Sequence, residues 1–119
     1  MEDKAAQISE RLLDYGVAII KICVRLNKTV VGRYIGNQLL RSGTSVGANY
    51  EEARGAQSRA DFIHKLHIVL KETRESMYWL KLIQRSQILR GEEIEEVKRE
   101  TEQISKIIAK SVITAKKRR

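Results

Sequence analysis

The chain has 119 residues, no proline and 5% aromatic residues, which excludes a β-sandwich or barrel built on frequent turns and aromatic strands. Hydrophobic residues make up 42% and charged residues 32%, a mixture that suits amphipathic helices around one core. The net charge of +8 fits a polyanionic partner such as RNA or DNA, or equally solubility and favourable helix-end charges, and half of it sits in Lys116-Lys117-Arg118-Arg119.

The first predicted helix covers about residues 4–26. Ile8, Leu12, Tyr15, Ile19, Ile22 and Leu26 recur at 4-3-4-3-4 spacing, a heptad seam. Leu13, Val17, Ile20 and Val24 form a second apolar stripe, which confines Asp14, Lys21 and Arg25 to a narrow polar one. A helix of a monomeric bundle keeps a broader polar face, so the second stripe predicts contact with other subunits. The segment is too short and too charged to span a bilayer. The polar start Met1-Glu-Asp-Lys4 predicts no signal peptide, and Cys23 has no internal disulfide partner; both point to a cytoplasmic protein.

The second helix, about residues 30–54, follows a cap at Asn27 or Thr29. Its second half runs RSGTSVGANYEEARGA and has the composition of a loop. Yet Val31, Ile35, Gln38, Ser42, Ser45, Asn49 and Glu52 keep an unbroken 4-3 register, which predicts a helix with a polar seam. Gly32, Gly36, Gly43 and Gly47 form one ridge where another helix can approach closely, and Gly55 is the stop. No G-x-x-x-x-G-K-[ST] is present and no strand precedes the glycines, so this is not a phosphate-binding loop.

The third helix, about residues 59–87, opens with the capping-box form Ser58-Arg-Ala-Asp61. Phe62, Leu66, Val69, Leu70, Met77, Leu80 and Ile83 follow at helical spacing, with Ile68, Trp79 and Leu82 off the seam. Antiparallel pairing across the short turn near Gln57 brings together residues whose numbers sum to about 115. This predicts a buried or half-buried network of Gln38, Arg41, Ser42, Ser45, Asn49, Glu52, Glu72, Thr73, Glu75 and Ser76. Its ordinary role is helix register; its sharper role is a ligand or catalytic site.

The fourth helix, about residues 92–114, turns Ile94, Val97, Ile104, Ile108 and Val112 inward and frays into a basic tail at 115–119. Glutamates at its start and bases at its end complement the helix dipole. The expected fold is a single all-α domain over residues 1–119, an antiparallel up-down-up-down four-helix bundle.

The chemistry read from the chain is sparse. His64 and His67 share a helix face, but Asp61-x-x-His64 replaces the Glu-x-x-His of di-iron bundles, and zinc would need further ligands. Cys23 has no neighbouring base and no Ser-His-acid set is present, so no metal, cofactor or enzyme activity is expected; a bundle enzyme would have to use Glu52, Glu72 and Glu75. Lys21, Arg25, Lys28 and Arg33 gather at one pole, joined by Lys81, Arg85 and Arg90. With Lys116, Lys117, Arg118 and Arg119 they predict sequence-independent contacts to RNA or DNA phosphates, without stacking aromatics in basic surroundings. The alternative is a protein-interaction scaffold with no nucleic-acid role.

The segments Gln38-Leu-Leu-Arg-Ser-Gly-Thr-Ser-Val-Gly-Ala-Asn-Tyr-Glu-Glu-Ala53, Asp61-Phe-Ile63 and Leu70-Lys-Glu-Thr-Arg-Glu-Ser-Met-Tyr-Trp-Leu80 resemble the four-helix-bundle proteins encoded in intervening sequences of bacterial 23S ribosomal RNA genes. The resemblance implies a small bundle that assembles into a ring-like homo-oligomer, a pentamer. The chain is also similar to the accessory proteins of diversity-generating retroelements, which implies nucleic acid and a reverse transcriptase as partners. It implies no catalytic residues.

Overall fold

The computed structural model describes residues 3–118. They form α1 (Lys4–Leu26), α2 (Val30–Arg54), α3 (Arg59–Ser86) and α4 (Glu92–Lys117). Each of the first three starts where a short polar side chain satisfies an orphan N–H. The Asp3 carboxylate accepts from Ala5 N–H, Thr29 Oγ1 accepts from Gly32 N–H at 2.9 Å, and Ser58 Oγ accepts from Asp61 N–H at 3.0 Å. α4 has no side-chain cap and instead places Glu92, Glu93 and Glu95 in its first turn, against the positive end of the dipole. α4 does not fray at residue 114: Lys116 and Lys117 form its last turn, where cations face the unpaired carbonyls.

α1 packs on α2, α2 on α3 and α3 on α4, and α4 closes on α1 most lightly. Cross-helix contacts such as Cys23 with Gly36, Arg54 with Ser9 and Arg25 with Glu93 run antiparallel, so the chain is an up-down-up-down bundle of 50 × 26 × 20 Å. The α1 and α4 seams lie inside as the periodicity predicts: Leu12, Tyr15, Ile19, Ile22 and Leu26 are buried in one core with Ile94, Val97, Ile104, Ile108 and Val112, and Ile8 is half-buried at its end. No helix among the described residues is long and apolar enough to cross a membrane.

α2 is rotated from the expected seam. Ile35 and Ser42 are buried as predicted, but the rest of the inner face is Leu39, Val46, Tyr50 and Ala53 with Gly32, Gly36 and Gly43. Val31 and Glu52 are exposed, and Gln38, Ser45 and Asn49 are half-buried along the flank of the helix. The cause is the larger transfer free energy of Leu39, Val46 and Tyr50, about 1.5–3 kcal/mol for a large apolar side chain, against polar groups that would need buried partners. The glycines remain a ridge, and they face α1. A Cβ at Gly43 would lie 2.7 Å from Ile19 Cγ2, and one at Gly47 would meet nothing closer than Leu12 at 3.5 Å.

Candidate functional site

The predicted polar network separates into two parts. In the interior, Ser42 Oγ pairs with Ser76 Oγ at 2.8 Å, and the Tyr15 hydroxyl pairs with Thr101 Oγ1 at 2.7 Å. Ser76 also acts on the Tyr15 hydroxyl, so one hydroxyl from each helix meets in a single buried layer. Thr73 is buried beside this layer but donates to the Leu70 carbonyl of its own helix. Tyr15 and Thr101 were not part of the expected network; Thr101 occupies the one polar step of an otherwise apolar α4 seam. Such a layer fixes register, since a shifted helix would leave hydroxyls buried and unpaired.

Burial pushes the Tyr15 hydroxyl up to about 12, against smaller opposing effects of Thr101 and Ser76. The fold holds this proton while the unfolded chain releases it near 10.0, so the contribution is complete below that value and is lost as pH rises towards about 12. A shift of this size is roughly 2–3 kcal/mol. Urea unfolding of wild type should therefore weaken more steeply across that alkaline window than unfolding of Tyr15→Phe. Parallel pH profiles for the two proteins would refute the buried-hydroxyl layer as a determinant of stability.

The second part lies on the α2–α3 flank. Arg41 bridges Glu72, at 3.4 Å, and Glu75; Trp79 Nε1 donates to Glu75 at 3.0 Å. These hydrogen bonds hold the Glu75 carboxyl below its ordinary range. Glu72 is 7% exposed, and its Oε1 is buried without a partner. The remaining members do not join. Ser45 Oγ donates to the Arg41 carbonyl at 2.6 Å, Asn49 Nδ2 donates to the Ser45 carbonyl at 2.9 Å, and Glu52 pairs outward with Lys65 at 2.7 Å. The rotation of α2 explains this: it turns Ser45 and Asn49 onto their own backbone. Glu72 and Glu75 thus share Arg41, while Glu52 is held apart by Lys65, so the three form no common carboxylate cluster.

Cys23 donates to the Gly36 carbonyl at 3.3 Å, and burial pushes its thiol up to about 11. It is a packed side chain of the α1–α2 contact. His64 and His67 are both exposed on α3, and no three of His, Cys, Asp and Glu converge among the described residues.

The basic groups are arranged unevenly. At the pole where α1 meets α2, Lys21, Lys28 and Arg33 are exposed without an ion pair among the described residues. Arg25 is drawn to Glu93 at 2.5 Å and donates to the Arg90 carbonyl at 3.2 Å. At the opposite pole a cleft opens between the start of α1, the start of α3 and the end of α4. Lys4, Arg11, Arg59, Lys110 and Arg118 line it over apolar Ile8, Phe62 and Ile107, and no acid among the described residues does. Arg11 is paired with Glu100 at 2.7 Å; the other four have no ion pair among the described residues. Lys116 and Lys117 are exposed in the turn before Arg118, and Arg119 lies outside the described residues. The sequence reading found the tail but not the cleft, because its cations come from three helices. It also missed Tyr78, an exposed aromatic on the basic outer face of α3.

The apolar stripe of α1 is not covered. Leu13, Val17, Ile20 and Val24 are all exposed, and Leu13 and Ile20 line a groove with Gly16, Gly47 and Ala48.

Comparison with known proteins matches this architecture. The sequence model of the 23S rRNA-intervening sequence protein family matches residues 4–110. A crystal structure of a protein with unknown function from the S23 ribosomal protein family of Bacteroides thetaiotaomicron is 37% identical, with a TM-score of 0.83; the match covers 92% of this chain and 98% of that one. No curated protein matches the chain. The match spans all four helices, from the first residue of α1 into α4, so the chain belongs to the 23S rRNA-intervening sequence protein family.

Proposed function

We propose that this protein is a non-enzymatic, self-associating helical bundle that binds nucleic-acid phosphates, RNA first, through its basic poles. The observation that carries the reading is the cleft at the α4 pole, where Lys4, Arg59, Lys110 and Arg118 converge beside Lys116 and Lys117 with no acid lining it and no ion pair to these four among the described residues. Like charges so gathered repel unless an anion joins them, and several phosphates on one strand meet that need. Lys21, Lys28 and Arg33 supply a second basic patch at the other pole; Arg25, held by Glu93, contributes less. The exposed stripe Leu13, Val17, Ile20 and Val24 supports homo-oligomerisation, for which the resemblance implies a ring of five. A reverse transcriptase or another protein partner, and a cytoplasmic location, belong to the same reading.

Fluorescence anisotropy with labelled RNA over a salt series tests it. The logarithm of the affinity should fall linearly with the logarithm of salt, by roughly 0.7–0.9 per phosphate neutralised. Arg59→Gln combined with Lys110→Gln should flatten that slope. Absent or salt-insensitive binding would leave the scaffold reading, in which partner binding survives neutralisation of Lys28, Arg33 and the tail.

A further inference from the structure

The outer face of α3 carries a regular row of cations. Lys71, Arg74, Tyr78, Lys81 and Arg85 follow at spacings of three, four, three and four, and all are exposed. They lie on the side of α3 opposite the buried Leu66, Val69, Ser76, Leu80 and Ile83. At 1.5 Å per residue the line from Lys71 to Arg85 is about 21 Å long. No acid interrupts it, and none of its four cations has an ion pair among the described residues. At its centre stands Tyr78, 58% exposed, between Arg74 one turn before and Lys81 one turn after.

Tyr78 is held as well as exposed. Its ring meets Trp79 edge-on at a centroid distance of 5.1 Å, and Trp79 meets Tyr34 of α2 edge-on at 6.5 Å. Trp79 is fixed in turn by its bond to Glu75, which Arg41 anchors. A ring that is already oriented loses little freedom when a flat ligand stacks on it. Beside Tyr78 a groove between α3 and α4 is lined by Leu70, Met77 and Ser105, with Thr73 and Thr101 at its base. The acid in that groove, Glu102, pairs with Lys106 at 3.5 Å.

We infer that this stripe is a binding track for single-stranded nucleic acid. Lys71, Arg74, Lys81 and Arg85 follow the phosphates, and one base stacks on Tyr78 with its edge toward the α3–α4 groove. A duplex keeps its base faces within the stack and cannot use Tyr78, so the aromatic is what selects a single strand. Phosphate and base faces are common to RNA and DNA, and the track takes both. The inference rests on the nucleic-acid reading above and deepens it: it names the strandedness of the ligand and moves the contact from the poles to α3.

The test is fluorescence anisotropy of the full chain with oligo(U) and oligo(dT) of about 12 nucleotides, a usual site size for a stacking groove, and with an RNA duplex of that length. Both single strands should bind about tenfold tighter than the duplex. Tyr78→Ala should weaken single-strand binding about tenfold, with duplex binding unchanged, and Tyr78→Phe should restore it. Arg74→Gln with Lys81→Gln should lower the salt slope by about 1.4. If wild type binds but these variants bind alike, the track is refuted and the basic poles survive as the site. Binding to none of the three probes removes both readings. Preference for the duplex overturns the single-strand assignment. A changed subunit number for Tyr78→Ala, read by light scattering, with binding intact makes Tyr78 an assembly contact and overturns it too.

Discussion

Gly43→Ala is expected to lose about 1–3 kcal/mol of unfolding free energy, while Gly47→Ala, one helical turn away on the same ridge, should hold its stability or gain up to about 1 kcal/mol. The difference comes from what each new methyl group meets. A Cβ at Gly43 falls 2.7 Å from Ile19 Cγ2 and 2.8 Å from Cγ1, closer than carbon atoms approach. Ile19 is 0% exposed and β-branched, so neither rotation nor withdrawal is open to it without moving its neighbours. At Gly47 the nearest atoms are Leu12 Cβ and its carbonyl oxygen at 3.5 Å, an ordinary contact. Both substitutions restrict the unfolded chain alike, so that effect cancels in the comparison. Equilibrium urea denaturation of the two variants reads the contrast. Equal effects would mean that α1 and α2 do not approach as closely at Ile19 as the packing requires.

The contrast also marks where sequence reasoning stops. The helix limits were legible because Thr29 and Ser58 are capping residues and because α1 and α4 each carry one clean apolar seam. α2 was legible as a helix but not in its rotation. Glycine and serine dilute its hydrophobic pattern, so the period alone does not say whether Gln38 or Leu39 points inward. Packing decides, because Leu39 and Val46 gain more from burial than Gln38 and Ser45. The α3 track has the opposite character. Its spacing was readable in the sequence, but an exposed stripe keeps the same period as a buried one. The apolar seam of Leu66, Val69, Leu80 and Ile83 already told which face of α3 is buried, but not that Tyr78 stands exposed among the cations on the other. The cleft at the α4 pole carries no local signal at all, since Lys4, Arg59 and Lys110 meet only once the helices alternate in direction.

Val17→Glu combined with Val24→Glu is expected to convert the protein to a monomer while leaving the bundle folded. Leu13, Val17, Ile20 and Val24 are 64%, 45%, 47% and 67% exposed, so they contribute little to the core of a single chain. Their burial against a neighbour would contribute roughly 25 cal/mol for each Å² removed from water. A carboxylate in such a contact costs several kcal/mol of desolvation, and each 1.4 kcal/mol is about tenfold in affinity, so association should fall by more than about a hundredfold. Light scattering gives the subunit number, and a circular-dichroism melt close to that of wild type shows that the fold persists. A wild type that is already monomeric, or a variant that keeps its subunit number, would remove the α1 stripe as the assembly face. The charge pattern favours α1 for this role over α3. Two copies of the α3 track, each carrying Lys71, Arg74, Lys81 and Arg85 without ion pairs, repel one another, whereas the α1 stripe offers apolar side chains at four consecutive steps. Assembly through α1 would leave the α3 cations facing outward on every subunit, so that one strand could meet several of the proposed tracks at once and bind more tightly than a single bundle allows.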